Sequence, residues 1–182
     1  MATAETESDD HLGDWADRYV SRRRHHGAGL LLDDEVEVIT VRLERVVRHL
    51  RRAVRDALAQ VGLQNCEYET LHLLMIRDTP GRAAPSALAA DLGVSGAGMT
   101  GRLDALERAG WIRRTPATAD RRRVDVVITE AGERVWRRAT VVRGRAESRL
   151  LGSLPPGERA HLAALLRQLT LRIELPDRPA DD

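Results

Sequence analysis

The chain has 182 residues, 42% of them hydrophobic and 31% charged, a balance that supports a buried core and excludes a wholly disordered protein. Its formal net charge is +1, so attraction to an anionic partner has to come from local rather than bulk charge. A single cysteine excludes an intramolecular disulfide, and the absence of any run near the roughly 20 apolar residues of a membrane span predicts a cytoplasmic protein with no membrane partner.

Residues 1–10, "MATAETESDD", are small, polar and acidic and read as a disordered N-terminus. From His11, Leu12, Trp15, Tyr19 and Val20 recur on one helical face, which predicts a short amphipathic helix to about residue 24. "RRRHHGAG" is a basic connector, and its arginine run Arg22 to Arg24 reads as a solvated charge run. Ile39, Leu43, Val46, Leu50, Val54 and Leu58 then define a much longer helix that Gly62 ends. That stripe exceeds what a small domain needs, so residues 11–62 are expected to hold an extra helix and a dimerisation helix.

A helix over Glu67 to Arg77 follows, with Tyr68, Leu71, Leu74 and Met75 as its buried face, and "DTPGRAAP" reads as a turn. Two short helices, "SALAADL" and "GAGMTGRLDALERA", are separated by "GVS", and Gly110 closes the second. From Trp111 the period drops to two: "WIRRT" and "VDVVIT" have the β-branched content of strands, and "PATADRRR" between them makes a hairpin turn. This is the only β signal in the chain. Residues 63–129 therefore read as a winged helix-turn-helix. Residues 130–175 return to helix, with Val135, Ala139, Val142, Ala146 and Leu150 on one stripe and Leu162, Leu165, Leu166, Leu169 and Ile173 on another, before a tail over 176–182. The fold class is mainly α with a small β-hairpin wing: a winged helix-turn-helix domain plus a helical dimerisation domain.

Within the helix-turn-helix, Ala89 is small where two helices approach, Gly93 supplies the turn, and Val94 and Met99 fill the space beneath it. Ser95 is placed to cap the second helix, whose Met99, Leu103 and Leu106 point inward. The outward set is then Ser95, Ala97, Gly98, Thr100, Gly101 and Arg102. Gly96, Gly98 and Gly101 each cost a helix about 1 kcal/mol relative to alanine. A helix that enters a major groove gains from such a small surface with a few hydroxyls and one guanidinium, so these residues are candidate contacts to double-stranded DNA. Arg121, Arg122 and Arg123 fall at the hairpin tip, where guanidinium groups can reach the minor groove and Asp120 can hold one of them in place.

The stretches "LAADLGVSGAGMTGRLDALERAGWIRR" and "DRRRVDVVITEAGE", with helices flanking them in the same order, resemble the MarR family of transcriptional regulators over roughly residues 36–175. The resemblance implies a homodimer with interlocked terminal helices and two winged domains reading a pseudo-palindrome, its half-sites about 10 bp apart. The extra N-terminal helix is similar to that of the urate-responsive branch of the family. Laid on that pattern, "DWADRY", "GLQNCEYETL", "GRLDAL" and "GWIRR" imply a pocket of Trp15, Glu69, Arg102 and Arg114 for a small anionic effector such as urate or a related compound. Glu69 stands where the branch usually has aspartate. The implied mechanism is that the effector pairs with Arg114 and repels Glu69, which pulls or releases Arg102 on the recognition helix.

Three other functions can be weighed against the same residues. The six histidines lie in a connector or are scattered over separate helices, without metal-ligand spacing, and neither a phosphate-cradling glycine loop nor a nucleophile elbow is present, so neither an enzyme nor a cofactor is expected. A winged helix that binds only protein is the stronger rival. Redox sensing through Cys66 is a third reading, although Cys66 sits beside Glu67 and Glu69 rather than beside the cations that activate a thiol.

Overall fold

The computed structural model describes residues 13–26, 33–116 and 124–175. The expected N-terminal disorder, residues 27–29 of the expected connector, the wing tip with Asp120, Arg121, Arg122 and Arg123, and the tail lie outside the described residues; Arg22 to His26, expected in the connector, instead continue the first helix, where Arg23 is not a solvated charge but pairs with Asp34 and Glu37. The chain divides into two compact units, Met1–Arg51 and Arg52–Asp182.

The first unit holds α1 (Trp15–His26) and the N-terminal part of α2 (Asp34–Ala59). Helix α1 starts at Trp15 rather than His11 because the Asp14 carboxylate accepts from the backbone N–H groups of Ala16 at 2.8 Å and Asp17 at 3.2 Å. These groups have no partner inside the first turn, so an aspartate there sets the boundary. The buried face of α1 is Ala16 and Val20, not the face carrying Trp15 and Tyr19, which are 42% and 44% exposed. The two rings stack at 5.3 Å, and the Arg45 guanidinium lies 5.3 Å from the Trp15 ring centroid. Arg42 joins the two helices through Asp14 and Asp17, both at 2.9 Å, and its hydrogen bond lowers the Asp14 pKa to about 2.

The second unit is built on the C-terminal end of α2, where Val54, Ala57 and Leu58 are buried, and on α3 (Asn65–Ile76). Gln64 and Glu67 form a reciprocal cap, with the Gln64 backbone N–H donating to Glu67 Oε2 at 2.8 Å, so α3 begins two residues earlier than its apolar spacing predicts. There follow β1 (Arg82–Ala83), α4 (Pro85–Asp91), α5 (Gly96–Arg108), β2 (Ile112–Pro116), β3 (Val124–Ile128), α6 (Glu130–Leu151) and α7 (Pro156–Glu174).

The expected hairpin is one part of a three-stranded antiparallel sheet of order β1-β3-β2. Ile112 faces Ile128 and Arg114 faces Val126 across the hairpin, while Arg82 and Ala83 pair with Val127 and Val126. Strand β1 lies in the segment that reads as a turn in the sequence. Two residues cannot display a period, and the strand exists because Gly81, at φ 81°, turns the chain so that its carbonyl accepts from Ile128 N–H at 2.8 Å.

The core of this unit joins Leu58, Leu63, Tyr68, Leu71, Leu74, Leu88, Met99, Leu103, Leu106, Ile112, Val126 and Ala139. One continuous apolar cluster thus seats the helix-turn-helix and the sheet against α3 and α6, and each fully buried aliphatic side chain contributes about 1.5–3 kcal/mol. Helix α7 differs, because none of its residues is buried.

Candidate nucleic-acid interface

The helix-turn-helix is α4 and α5. Pro85 occupies the first turn of α4, where a missing N–H costs nothing. Gly93, at φ 62°, makes the turn, and Val94 N–H closes it on Ala89 C=O at 3.0 Å. Ser95 caps α5, its hydroxyl oxygen accepting from Gly98 N–H at 3.1 Å. Met99, Leu103 and Leu106 are buried, and Ser95, Gly96, Ala97, Gly98, Thr100 and Gly101 are exposed, which is the division expected from helical spacing.

Packing does not demand a glycine at position 96 or 101, whereas a Cβ at Gly98 would press on Ser95 Oγ at 3.3 Å. A Cβ at Gly96 or Gly101 would meet nothing within 4 Å, and neither residue has a positive φ. Their cost to the helix therefore has no return inside this chain. The Thr100 hydroxyl donates to Gly96 C=O at 2.9 Å, which leaves the oxygen of this exposed residue able to accept, next to its own methyl group. An acceptor beside a methyl matches an adenine or cytosine amino group and a thymine methyl in the major groove.

Arg102 is not part of that open face. Its side chain is 22% exposed, Nη1 lies 3.7 Å from Glu69 Oε2, and that nitrogen is buried without a hydrogen-bond partner. Asn65 Nδ2 donates to the other Glu69 oxygen at 2.7 Å. The structure thus brings Glu69 and Arg102 together, as an arrangement in which α3 holds back an arginine of α5. Arg114 has different partners, Asp104 at 2.6 Å and Glu107 at 2.5 Å. Burial opposes the charge on Arg114, but the hydrogen bonds to Asp104 and Glu107 outweigh it and hold the pKa above the usual arginine value. Trp15 lies in the first unit, with Tyr19 and Arg45 as its neighbours there. Cys66 is half-buried in the first turn of α3.

Three features escaped the sequence. The first is the Arg114 pairing, for which the signal was two acids, Asp104 and Glu107, on one face of a helix expected to meet DNA. The second is Asn65, four residues before Glu69 and so on the same helical face. The third is a polar cluster between α3 and α6, where Trp136 Nε1 donates to His72 Nδ1 at 3.2 Å and the Tyr68 hydroxyl lies 3.4 Å from both His72 Nδ1 and Thr140 Oγ1. An indole N–H can only donate, so His72 Nδ1 must accept and its proton sits on Nε2.

Burial and then the nearby Arg143 charge lower the His72 pKa from 6.5. The unfolded chain therefore takes up a proton near 6.5 that the folded chain resists, and stability falls as pH drops through that value. Urea unfolding between about pH 7 and about pH 5 is expected to show this loss, and His72→Gln to reduce the slope. Identical slopes for the two proteins would remove His72 from the account.

No helix among the described residues is long and apolar enough to cross a membrane. Residues 67–124, from α3 to the start of β3, match the MarR family. The HTH-type transcriptional regulator PecS of Dickeya dadantii (strain 3937) is 33% identical over 135 residues, covering 74% of this chain and 81% of that protein. The crystal structure of CouR from Rhodococcus jostii RHA1 bound to p-coumaroyl-CoA superposes with a TM-score of 0.62 at 27% identity, over 78% of this chain and 94% of that one. A mutant MarR from E. coli complexed with operator DNA shares the fold, with a TM-score of 0.62 at 23% identity over 75% and 96% of the two chains. The match spans the helix-turn-helix, and the relative extends it over most of the chain: this protein belongs to the MarR family and is a DNA-binding transcriptional regulator rather than an enzyme.

Proposed function

We propose that the protein is a homodimeric repressor that binds a pseudo-palindromic operator in double-stranded DNA and is released by a small anionic effector, a purine such as urate or an aromatic acid. The observation that carries the DNA-facing part is the open space around Gly96 and Gly101, small residues that weaken α5 and gain nothing within the chain. With Ser95, Ala97, Gly98 and Thr100 they form a surface low enough for base edges to approach, while Arg121, Arg122 and Arg123 at the wing tip supply contacts to phosphate or the minor groove. Dimerisation is supported by the leucines left exposed on α7.

The Glu69–Arg102 pair supports an anionic effector. An anion near these residues repels the carboxylate and competes for the guanidinium, so it shifts Arg102 on the helix that meets DNA. Arg114 is a further cation in the proposed reading, one that an anion would have to share with Asp104 and Glu107. CouR is bound to p-coumaroyl-CoA, an anionic ligand with an aromatic acyl group, which supports the anionic and aromatic character of the effector.

Titrating an operator fragment with the wild-type protein and with Gly101→Ala, each with and without urate and aromatic acids, tests the reading. Gly101→Ala is expected to stabilise the fold by about 0.5–1 kcal/mol and yet to weaken operator binding about tenfold. Undiminished operator affinity in that variant would remove the α5 face from the interface, and an operator complex unmoved by every anion tried would remove the effector class.

A further inference from the structure

Asp104 and Glu107 lie one turn apart on α5, the helix that turns its small residues outward. Carboxylates on a helix bound for DNA are repelled by phosphate unless a cation neutralises them. Arg114, at the centre of β2, is that cation. Its Nη2 donates to Asp104 Oδ1 at 2.6 Å, its Nη1 to Glu107 Oε2 at 2.5 Å, and its backbone N–H to Glu107 Oε1 at 2.9 Å. The backbone bond matters because it ties the strand itself to the helix, where a side-chain bond alone could follow the motion of a flexible arginine. The three groups are 29–48% exposed, so the clamp sits at the edge of the unit rather than in its core.

We infer that Asp104, Glu107 and Arg114 form a clamp that sets the pose of the wing against the recognition helix, with Glu107 acting as a positioning residue for operator binding. Helix and wing must meet two grooves of one duplex together, and a wing free to pivot pays an ordering cost when DNA binds. The clamp meets that cost in the folded protein. It sits two residues before the last residue of β2, where Arg114 is paired with Val126 of β3, so a change of angle there is carried through the whole hairpin. The planar guanidinium gives each acid its own nitrogen in a fixed fork, a geometry that the point charge of a lysine does not impose.

The test compares operator DNA with random-sequence DNA by fluorescence anisotropy on the full-length protein, together with thermal unfolding. Glu107→Gln deletes a negative charge near the phosphates, so charge alone predicts tighter binding. The clamp predicts the opposite on the operator, a loss of about tenfold, with random-sequence binding unchanged or tighter. Arg114→Gln is expected to lose operator affinity as well, and the double variant to bind no more weakly than Arg114→Gln alone, because one clamp can be broken only once. Should Glu107→Gln fail to fold, Glu107→Asp keeps the charge, shortens the reach and is expected to show the same operator-selective loss. Operator affinity at or above wild type in the Glu107 variants, an equal loss on both DNAs, or losses that multiply in the double variant would each overturn the proposal.

Discussion

Replacing Leu166 and Leu169 of α7 by glutamate is expected to convert the proposed dimer into a particle of the single-chain mass, 20.2 kDa by light scattering, and to weaken operator binding about a hundredfold or more. Leu165, Leu166, Leu169 and Ile173 are 46%, 41%, 50% and 80% exposed, although their spacing is that of a helix with a buried face. Each such side chain, once covered, contributes about 1.5–3 kcal/mol, so the stripe is sufficient to hold two chains together. Charges placed there lose that energy and repel across the proposed two-fold axis. The effect on DNA follows from linkage: two half-sites bound by one dimer gain from effective concentration, and a lone chain binds each half-site independently. A protein of unchanged mass after both substitutions would separate the α7 stripe from dimerisation.

Gly132→Ala is expected to destabilise the second unit by about 3 kcal/mol or more, with operator binding lost as the unit unfolds. A Cβ at this position would lie 2.0 Å from Trp111 O and 2.8 Å from Ile128 Cγ1. Neither neighbour can yield cheaply. The Trp111 carbonyl accepts from Thr129 N–H at 3.0 Å, and the Thr129 hydroxyl donates to Gly110 C=O at 2.7 Å while accepting from Gly132 N–H at 3.0 Å. The first turn of α6 is thus closed on the loop that leads from α5 into β2, and only a residue without a side chain fits between them. Gly144→Ala is the control, since a Cβ there meets nothing within 4 Å and the helix is expected to gain about 1 kcal/mol. Equal urea midpoints for wild type and Gly132→Ala would contradict the packing.

The helix-turn-helix was legible in the sequence because its determinants are local. Gly93 and Gly110 take the positive φ their turns require, Ser95 caps the helix it precedes, and Met99, Leu103 and Leu106 are buried by virtue of their spacing alone. Each of these effects acts within a few residues along the chain. The α1 boundary and its buried face were less legible: the Asp14 carboxylate takes up the first N–H groups of the helix, and the small Ala16 is buried while the larger Trp15 and Tyr19 stack on an exposed flank. Ring size in a periodic pattern does not say which side of a helix has room for it.

What the sequence by itself determined, then, is the order of elements, the small-residue face of α5 and the family motif that includes "ITEAG". Tertiary structure alone decided which charges meet. Arg114 could have paired with any of several acids, and it takes Asp104 and Glu107 because the hairpin lays β2 along α5; Glu69 meets Arg102 because the common core brings α3 against the same helix. It also decided that Gly81 and Gly132 make close approaches and that two residues after a turn join a sheet. The physical reason is the range of the interactions involved: backbone dihedrals, caps and periodicity are set by near neighbours, whereas ion pairs and steric limits depend on distances that exist only once the chain has closed on itself.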